Sequence, residues 1–269
     1  MPDEFHGAII QLCSVLDYEK NLTKIKGFIR EAKKNGAENI FLPEVFYSMS
    51  DGRKPTPHLL SPGNEHEENV LNLAMENKVN LIGGSCATNI GGKIFNRAYV
   101  INKNGEIVNT YDKKHLFKCC FENKKESKVI NIDEGRIYSK GLESEVYSVD
   151  DVWKIGLSIC FDLRFSSHFC QLTKMGANLL CCPSAFTKKT GALHWHILNK
   201  ARAIESQSYV VSAAQVGKNN SSVNTFGHSL VVDPMGKVLV DLGGEKEGVA
   251  NFTLKKSAII EARSQIMMD

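Results

Sequence analysis

Three short stretches of the chain end on residues able to do covalent chemistry. In Lys154-Ile155-Gly156-Leu157-Ser158-Ile159-Cys160, the apolar Ile155, Leu157 and Ile159 alternate with small or polar residues, the period of a strand, and the stretch closes on a thiol. Ile40-Phe41-Leu42-Pro43 is a short apolar run closed by the carboxylate of Glu44. Tyr111-Asp112-Lys113-Lys114-His115-Leu116-Phe117 carries an ammonium at Lys113. A carboxylate, an ammonium and a thiol are the parts needed for acyl transfer. Beyond Cys160, Ser166 and Ser167 offer an N-cap for a helix carrying Phe169, Leu172 and Met175. A Cys on a sharp strand-to-helix turn exposes its sulfur at a sheet edge, near a helix N-terminus, which favours thiolate. The competing reading of Cys160 is a small buried hydrophobe, the ordinary fate of a free Cys.

The elements that must position these groups occur twice. Ala8 to Leu12 reads as a first strand; Leu22, Ile25, Phe28, Ile29 and Ala32 then recur at helical spacing, with Asn21 as cap and Gly36 as stop. Gly36-Ala37-Glu38-Asn39-Ile40-Phe41-Leu42-Pro43-Glu44-Val45-Phe46 has the shape of Gly176-Ala177-Asn178-Leu179-Leu180-Cys181-Cys182-Pro183-Ser184-Ala185-Phe186, with Gly, Ala, Pro and Phe matching at one constant offset. Phe95 to Val108 resembles Phe226 to Leu239, and both read as strand, tight Gly turn, strand. Between these markers each half holds a helix and a strand: Glu67 to Lys78 then Val79 to Gly83, and Ala192 to Gln207 then Tyr209 to Ala214. Each half therefore makes one mixed sheet with helices on one face, leaving the other face apolar. Stacking the two bare faces gives an α/β fold, a four-layer α-β-β-α sandwich of two pseudo-symmetric halves. Gly83, Gly84 and Gly156 allow close backbone approach. Residues 118 to 141 interrupt the plan. Lys118, Lys124, Lys125 and Lys128 alternate there with Glu122, Asn123, Glu126 and Ser127, which reads as a solvated loop.

Composition bounds the function. With 42% hydrophobic and 23% charged residues over 269, this is ordinary globular material, read as one domain spanning 1–269. A net charge of +3 implies neither nucleic acid nor an acidic membrane surface. The eight Cys form no CxxC pair, so no zinc is expected, and no apolar run reaches membrane-spanning length. The acidic start Met1-Pro2-Asp3-Glu4 suits neither secretion nor mitochondrial import, so reduced thiols in the cytoplasm are expected.

The three chemistry-bearing stretches, in this order, resemble the nitrilase superfamily of carbon–nitrogen hydrolases, in the patterns "LPE", "Y-x-K-x-H-L-F" and "G-x-x-[IV]-C-[FY]-D-x-R-F". The resemblance implies a Glu44-Lys113-Cys160 triad with no cofactor and no metal. It takes Lys113, two before His115, rather than Lys114 as the catalytic amine; on a strand Lys113 and His115 share a face and Lys114 points to solvent. It places a second active-site carboxylate at Glu134. The implied roles are general base for Glu44, nucleophile for Cys160, oxyanion donors at Lys113 Nζ and the Phe161 N–H, and orientation of Lys113 or the water by Glu134. His115 and His194 are not put in the base role, His168 reads as a surface or core histidine, and the other seven Cys as structural.

The second half is similar to the amidase branch that includes deaminated-glutathione amidase and omega-amidase. The stretches carrying this are Pro183 to Thr187, Thr190-Gly191-Ala192-Leu193-His194-Trp195, Ala201 to Glu205, and Gly227-His228-Ser229 with Val232-Asp233-Pro234. The substrate implied is a small 2-oxo acid bearing a terminal carboxamide, with Ala213-Ala214-Gln215 leaning toward deaminated glutathione. Arg164, Phe186 and Thr187 follow strands feeding the site and are candidate substrate contacts, an ion pair of Arg164 with Asp162 being the alternative. His196 departs from the branch, where Glu follows His-Trp. A nitrilase or carbamoyl amide hydrolase on the same fold and a silent scaffold are the competing functions. The family's habit implies a homodimer.

Overall fold

The N-terminal strand shows how the layers arise. Along β1 (Glu4–Gln11), Phe5 and Ile9 join one buried cluster while Ala8 and Ile10 join another, so the strand is apolar on both faces and must be covered on both. The computed structural model describes residues 3–123 and 128–268. In the first half, α1 (Tyr18–Lys34), β2 (Asn39–Phe41), α2 (Glu65–Asn77), β3 (Asn80–Ile90), β4 (Lys93–Ile101) and β5 (Ile107–Asp112) follow β1. A ribbon of β6 (Lys118–Asn123) and β7 (Lys128–Asp133) comes next, then β8 (Val146–Ser148). The second half runs β9 (Lys154–Leu157), α3 (Ser166–Lys174), β10 (Leu179–Cys181), α4 (Lys188–Ser206), β11 (Tyr209–Ser212), β12 (Val216–Lys218), β13 (Asn224–Phe226), β14 (Leu230–Val232) and β15 (Val238–Asp241). It ends with β16 (Gly248–Lys255) and α5 (Lys256–Gln265).

Two six-stranded sheets form, in the orders β16-β1-β2-β3-β4-β5 and β15-β14-β11-β10-β9-β8. Within each, three parallel strands (β1-β2-β3 and β9-β10-β11) precede an antiparallel hairpin, so the two halves repeat one topology. Phe5, Ile9, Phe41, Ile82 and Val100 of the first sheet share a cluster with Ile155, Leu157, Leu179, Val211 and Val231 of the second, which is the seam between the sheets. Ile25 and Ile29 of α1 and Val70 and Leu73 of α2 cover the outer face of the first sheet. Phe169 and Leu172 of α3 and Trp195 and Ala203 of α4 cover that of the second. The four-layer sandwich stands.

Several local expectations change. The first helix begins earlier: Asp17 caps it by accepting from the Lys20 N–H at 3.2 Å, and Asn21 is buried, bonding the Val15 backbone and Tyr47 O. α3 is capped by Phe165 with no side-chain bond, because a 3-10 turn, Cys160–Arg164, takes up the space before Ser166. The counterpart of β4 is split into β13 and β14, since Gly227 donates to Gln215 O at 3.0 Å and His228 adopts a left-handed backbone (φ 57°). Of the stretch expected to be a solvated loop, 118–123 and 128–133 form an antiparallel ribbon with Lys118 opposite Asp133. Lys124, Lys125, Glu126 and Ser127 lie outside the described residues. β16 and α5 carried no sequence expectation. β16 returns to pair with β1 from Glu4–Lys255 to Gln11–Gly248, closing the first sheet with the last strand of the chain. No described helix is long and apolar enough to cross a membrane.

Glycines mark the closest approaches. Gly83 has φ +76°, and a Cβ there meets Cys181 Sγ at 2.1 Å, across the seam between the sheets. Gly36, φ +83°, has nothing within 4 Å of such a Cβ. Gly83→Ala therefore carries an overpacking cost on top of the backbone cost and destabilises by about 3 kcal/mol or more. Gly36→Ala carries only the backbone cost, about 1 kcal/mol. Urea melts of the two variants check the difference; equal losses count against the packing account.

Candidate active site

Each half delivers its reactive groups from the carboxyl ends of its strands, where an α/β sheet opens a crevice. Two residues past β2, Pro43 ends the pairing and Glu44 turns in; Val45 follows with φ 47°, a costly conformation for a β-branched residue, held by its N–H donating to Ser85 Oγ at 3.0 Å. β5 ends at Asp112, so Lys113 is the first residue off the strand, its N–H bonded to Asn96 O at 3.0 Å. Past β9, Cys160 takes φ 46° while its N–H donates to Pro183 O at 2.9 Å, lifting the sulfur off the strand end. Glu134 opens the 3-10 turn after β7. Its N–H donates to Phe117 O and its Oε2 accepts from the Phe117 N–H, both within 2.9 Å, so the end of the ribbon carries it to Lys113.

The side chains converge on Lys113. Its Nζ donates to Glu44 Oε1 at 2.8 Å and lies 2.9 Å from Glu134 Oε2, with the amine 1% exposed. Burial opposes its charge, but the Glu134 and Glu44 carboxylates hold it well above the usual lysine range, so it is an ammonium. Burial, with the charge of Glu44 added, raises Glu134, against the pull of Lys113. Asn96 Nδ2 donates to the same Glu44 Oε1 at 2.8 Å, and among the described residues no donor is bonded to Oε2. Gln215 holds the backbone from the second half, donating to Glu44 O at 2.9 Å and Ser14 Oγ at 2.7 Å.

Cys160 lies within electrostatic reach of this group. Burial and the Glu44 charge push its thiol well above the usual range, Lys113 pulls it down, and the Ala185 N–H bonds the sulfur. This corrects the expected thiolate: a five-residue 3-10 turn separates Cys160 from the α3 terminus at Ser166, and desolvation outweighs Lys113, so the sulfur rests as a thiol. Among the described residues no acceptor takes the Phe161 N–H. Arg164 makes no ion pair with Asp162. Its guanidinium lies over the rings of Phe186 (5.4 Å) and Phe161 (5.9 Å) and, among the described residues, its polar contact is His194 Nδ1, at 3.3 Å. Phe186 is buried beside it, whereas the Thr187 hydroxyl caps α4 by accepting from the Thr190 N–H at 3.4 Å.

Lys113 and His115 do not share a face, because the strand has ended. His115 instead serves the turn that bears Cys160: Asp162, fully buried, bonds His115 Nδ1 at 2.6 Å and accepts from the His115 N–H, the Tyr111 hydroxyl and the Ile159 N–H. Lys114 is half-buried rather than solvated, with Nζ donating to Ser144 Oγ at 3.0 Å. His168 is a core residue bonded to Leu157 O at 3.2 Å. Cys86, Cys181 and Cys182 are buried as expected of structural thiols; Cys120 and Cys170 are exposed, and all eight are free. Asn96 escaped the sequence reading, and the roles of Asp162 and Gln215 here differ from those considered there, a partner for Arg164 and a substrate-branch marker. Their available signal was a polar side chain on an otherwise buried strand or turn, invisible until the burial is known.

The carbon–nitrogen hydrolase family model matches residues 8–264. The chain belongs to that family. This carbon–nitrogen hydrolase is 36% identical over 265 residues to deaminated glutathione amidase of Dictyostelium discoideum, covering 95% of this chain and 89% of that one. It is 35% identical over 267 residues to human omega-amidase NIT2, covering 97% and 92%. The crystal structure of Saccharomyces cerevisiae Nit3, a member of branch 10 of the nitrilase superfamily, superposes with a TM-score of 0.84 at 29% identity, covering 98% and 95%. The chain is thus a hydrolase of carbon–nitrogen bonds other than peptide bonds.

Asp162 gives the site a measurable acid limit. Burial opposes its charge, but the His115 bond, the nearby His168 and the Ile159 and Tyr111 donors hold its carboxyl below the usual range. A group depressed on folding stabilises above its unfolded pKa and loses that contribution as pH falls through the folded value. Asp162→Asn therefore lowers stability by about 3 kcal/mol at pH 7, and the gap to wild type closes below about pH 4. Chemical melts at pH 7, 5 and 3 read this; a gap independent of pH contradicts the assignment.

Proposed function

We propose that this hydrolase cleaves the terminal carboxamide of a small 2-oxo acid, deaminated glutathione first and 2-oxoglutaramate second, through a thioester on Cys160. The observation carrying the reading is the buried ammonium of Lys113 clamped between Glu44 and Glu134 beside a thiol that carries its proton at rest.

In this reading Glu44 Oε2, the oxygen without a protein donor, takes the thiol proton as sulfur bonds to the amide carbon. The carbonyl π electrons move to oxygen, where Lys113 Nζ and the Phe161 N–H receive the charge; one such donor contributes about 3 kcal/mol. Protonated Glu44 returns its proton to nitrogen, the carbon–nitrogen bond breaks, and ammonia leaves a thioester. Water then loses a proton to Glu44 and bonds to the carbonyl carbon. Collapse of the second oxyanion breaks the carbon–sulfur bond, and Glu44 gives the proton back to sulfur. Glu134 holds Lys113 in place through both states. No cofactor or metal enters a step.

Arg164 supplies the recognition of the acid end. Among the described residues no carboxylate pairs with it, and Phe161 and Phe186 fix its guanidinium plane, the arrangement that suits a bidentate carboxylate. We carry the homodimer and the cytoplasm forward as parts of the same proposal. Leu193, Ile197 and Ile204 form an exposed apolar line on α4 that supports a second copy there, which sedimentation of the purified chain reads.

Ammonia release from deaminated glutathione, 2-oxoglutaramate, a carbamoyl amino acid and a simple nitrile tests the substrate class; turnover of only the last two rejects it. Cys160→Ala abolishes release with the fold intact by circular dichroism, and Glu44→Gln lowers kcat at least ~10³-fold. Retained turnover in the Cys160 variant refutes the nucleophile. Arg164→Gln raises KM for the 2-oxo acid amides by about 10²-fold but leaves an uncharged aliphatic amide nearly unaffected; equal losses on both argue against carboxylate recognition.

A further inference from the structure

His196 in α4, His228 in the turn before β14 and Asp241 at the end of β15 come from three segments and share no hydrogen bond with Glu44, Lys113 or Glu134 among the described residues. One donor atom from each lies within 4.8 Å of the other two. The carboxylate of Asp241 sits between the rings: Oδ2 is 3.0 Å from His196 Nε2, and Oδ1 and Oδ2 are 2.9 and 3.1 Å from His228 Nδ1. The neighbours fix these groups. The Gly243 N–H donates to Asp241 Oδ1 at 2.8 Å. Phe226 stacks on the His228 ring, centroids 4.4 Å apart, and stands edge-on to His196. Gly244 backs His228, where any Cβ would come within 2.9 Å of Nε2.

We propose that this cluster binds a divalent transition metal, Zn²⁺ in the first instance, through His196 Nε2, His228 Nδ1 and Asp241 Oδ2, with water as the fourth ligand. Two imidazoles and a carboxylate are a donor set for Zn²⁺ rather than for Mg²⁺ or Ca²⁺, which select oxygen. Zinc bonds of about 2.0–2.1 Å at tetrahedral angles put donor atoms about 3.3 Å apart. The two carboxylate–imidazole edges are already near this length, and shifts of side-chain size bring the imidazoles to it. The metal takes the lone pair of each imidazole nitrogen that faces Asp241, and each neutral ring carries its one proton on the other nitrogen. The absence of CxxC pairs, which argued against zinc in the sequence, concerned thiolate sites and does not bear on this one.

Occupancy would cross-link α4 to the turn before β14. These segments are already tied: Phe226 N–H donates to Phe186 O at 2.9 Å, and Trp195 Nε1 donates to His228 O at 2.7 Å. The site is therefore a staple between them, not a participant in hydrolysis.

Calorimetric titration of the full reduced chain with Zn²⁺, and absorption with Co²⁺, tests it, comparing wild type with His196→Gln and Asp241→Asn. Wild type takes up one equivalent more than either variant, or binds it at least ~10-fold more tightly. The Co²⁺ complex shows visible ligand-field bands without the near-ultraviolet thiolate band, which separates it from binding at the free cysteines. Wild-type Tm rises by about 5 °C or more at ~100-fold excess over Kd, and the variants do not follow. Equal stoichiometry and affinity in all three chains, or a thiolate-dominated Co²⁺ spectrum, overturns the proposal and leaves Asp241 as a hydrogen-bonded clamp. Metal-free amide hydrolysis, kept in both variants, is read separately, so the outcome does not depend on the substrate assignment.

Discussion

A buried ammonium fixes the rest of this structure. Lys113 is almost wholly removed from water, and only two carboxylates make that tolerable. Breaking such a group by removing one member leaves an uncompensated charge, at about 3–5 kcal/mol. Glu44 must therefore arrive from the end of β2, Glu134 from the ribbon and Lys113 from the end of β5, all in register. The strained Val45 and Cys160 conformations, the Asn96 bond and the Gln215 bridge from the other half are the means of holding that register.

The two-sheet design follows from the same demand. One sheet cannot bring Cys160 to Glu44, because each sheet offers one set of strand ends. Face-to-face stacking joins both sets at one edge, and Gly83 lets the backbones close over Cys181. Conditioning of the thiol is then shared: burial and Glu44 keep the proton on sulfur, and Lys113 opposes them. In the proposed mechanism the proton therefore leaves with the reaction rather than before it.

The internal repeat was legible because it is written in Gly, Pro and apolar spacing, which local geometry dictates. Matching Gly36 to Phe46 against Gly176 to Phe186 yielded the paired halves and hence the sandwich. The split of the second hairpin into β13 and β14 was not legible, because it depends on Gly227 finding Gln215, a partner given only by the fold. The ribbon at 118–133 was misread for a related reason: interleaved charge looks like a solvated loop whether or not its backbone pairs. Its consequence is large, since it delivers Glu134.

Sequence alone determined the strand-and-helix alternation, the doubled plan and the residue types at three strand ends, since these rest on periodicity and on the chemistry of single side chains. Tertiary structure alone decided that Cys160 rests as a thiol, that His115 serves Asp162, that Thr187 caps a helix, and that His196, His228 and Asp241 meet. Each of those outcomes depends on desolvation or on a partner remote in the chain, and neither quantity exists until the layers have closed.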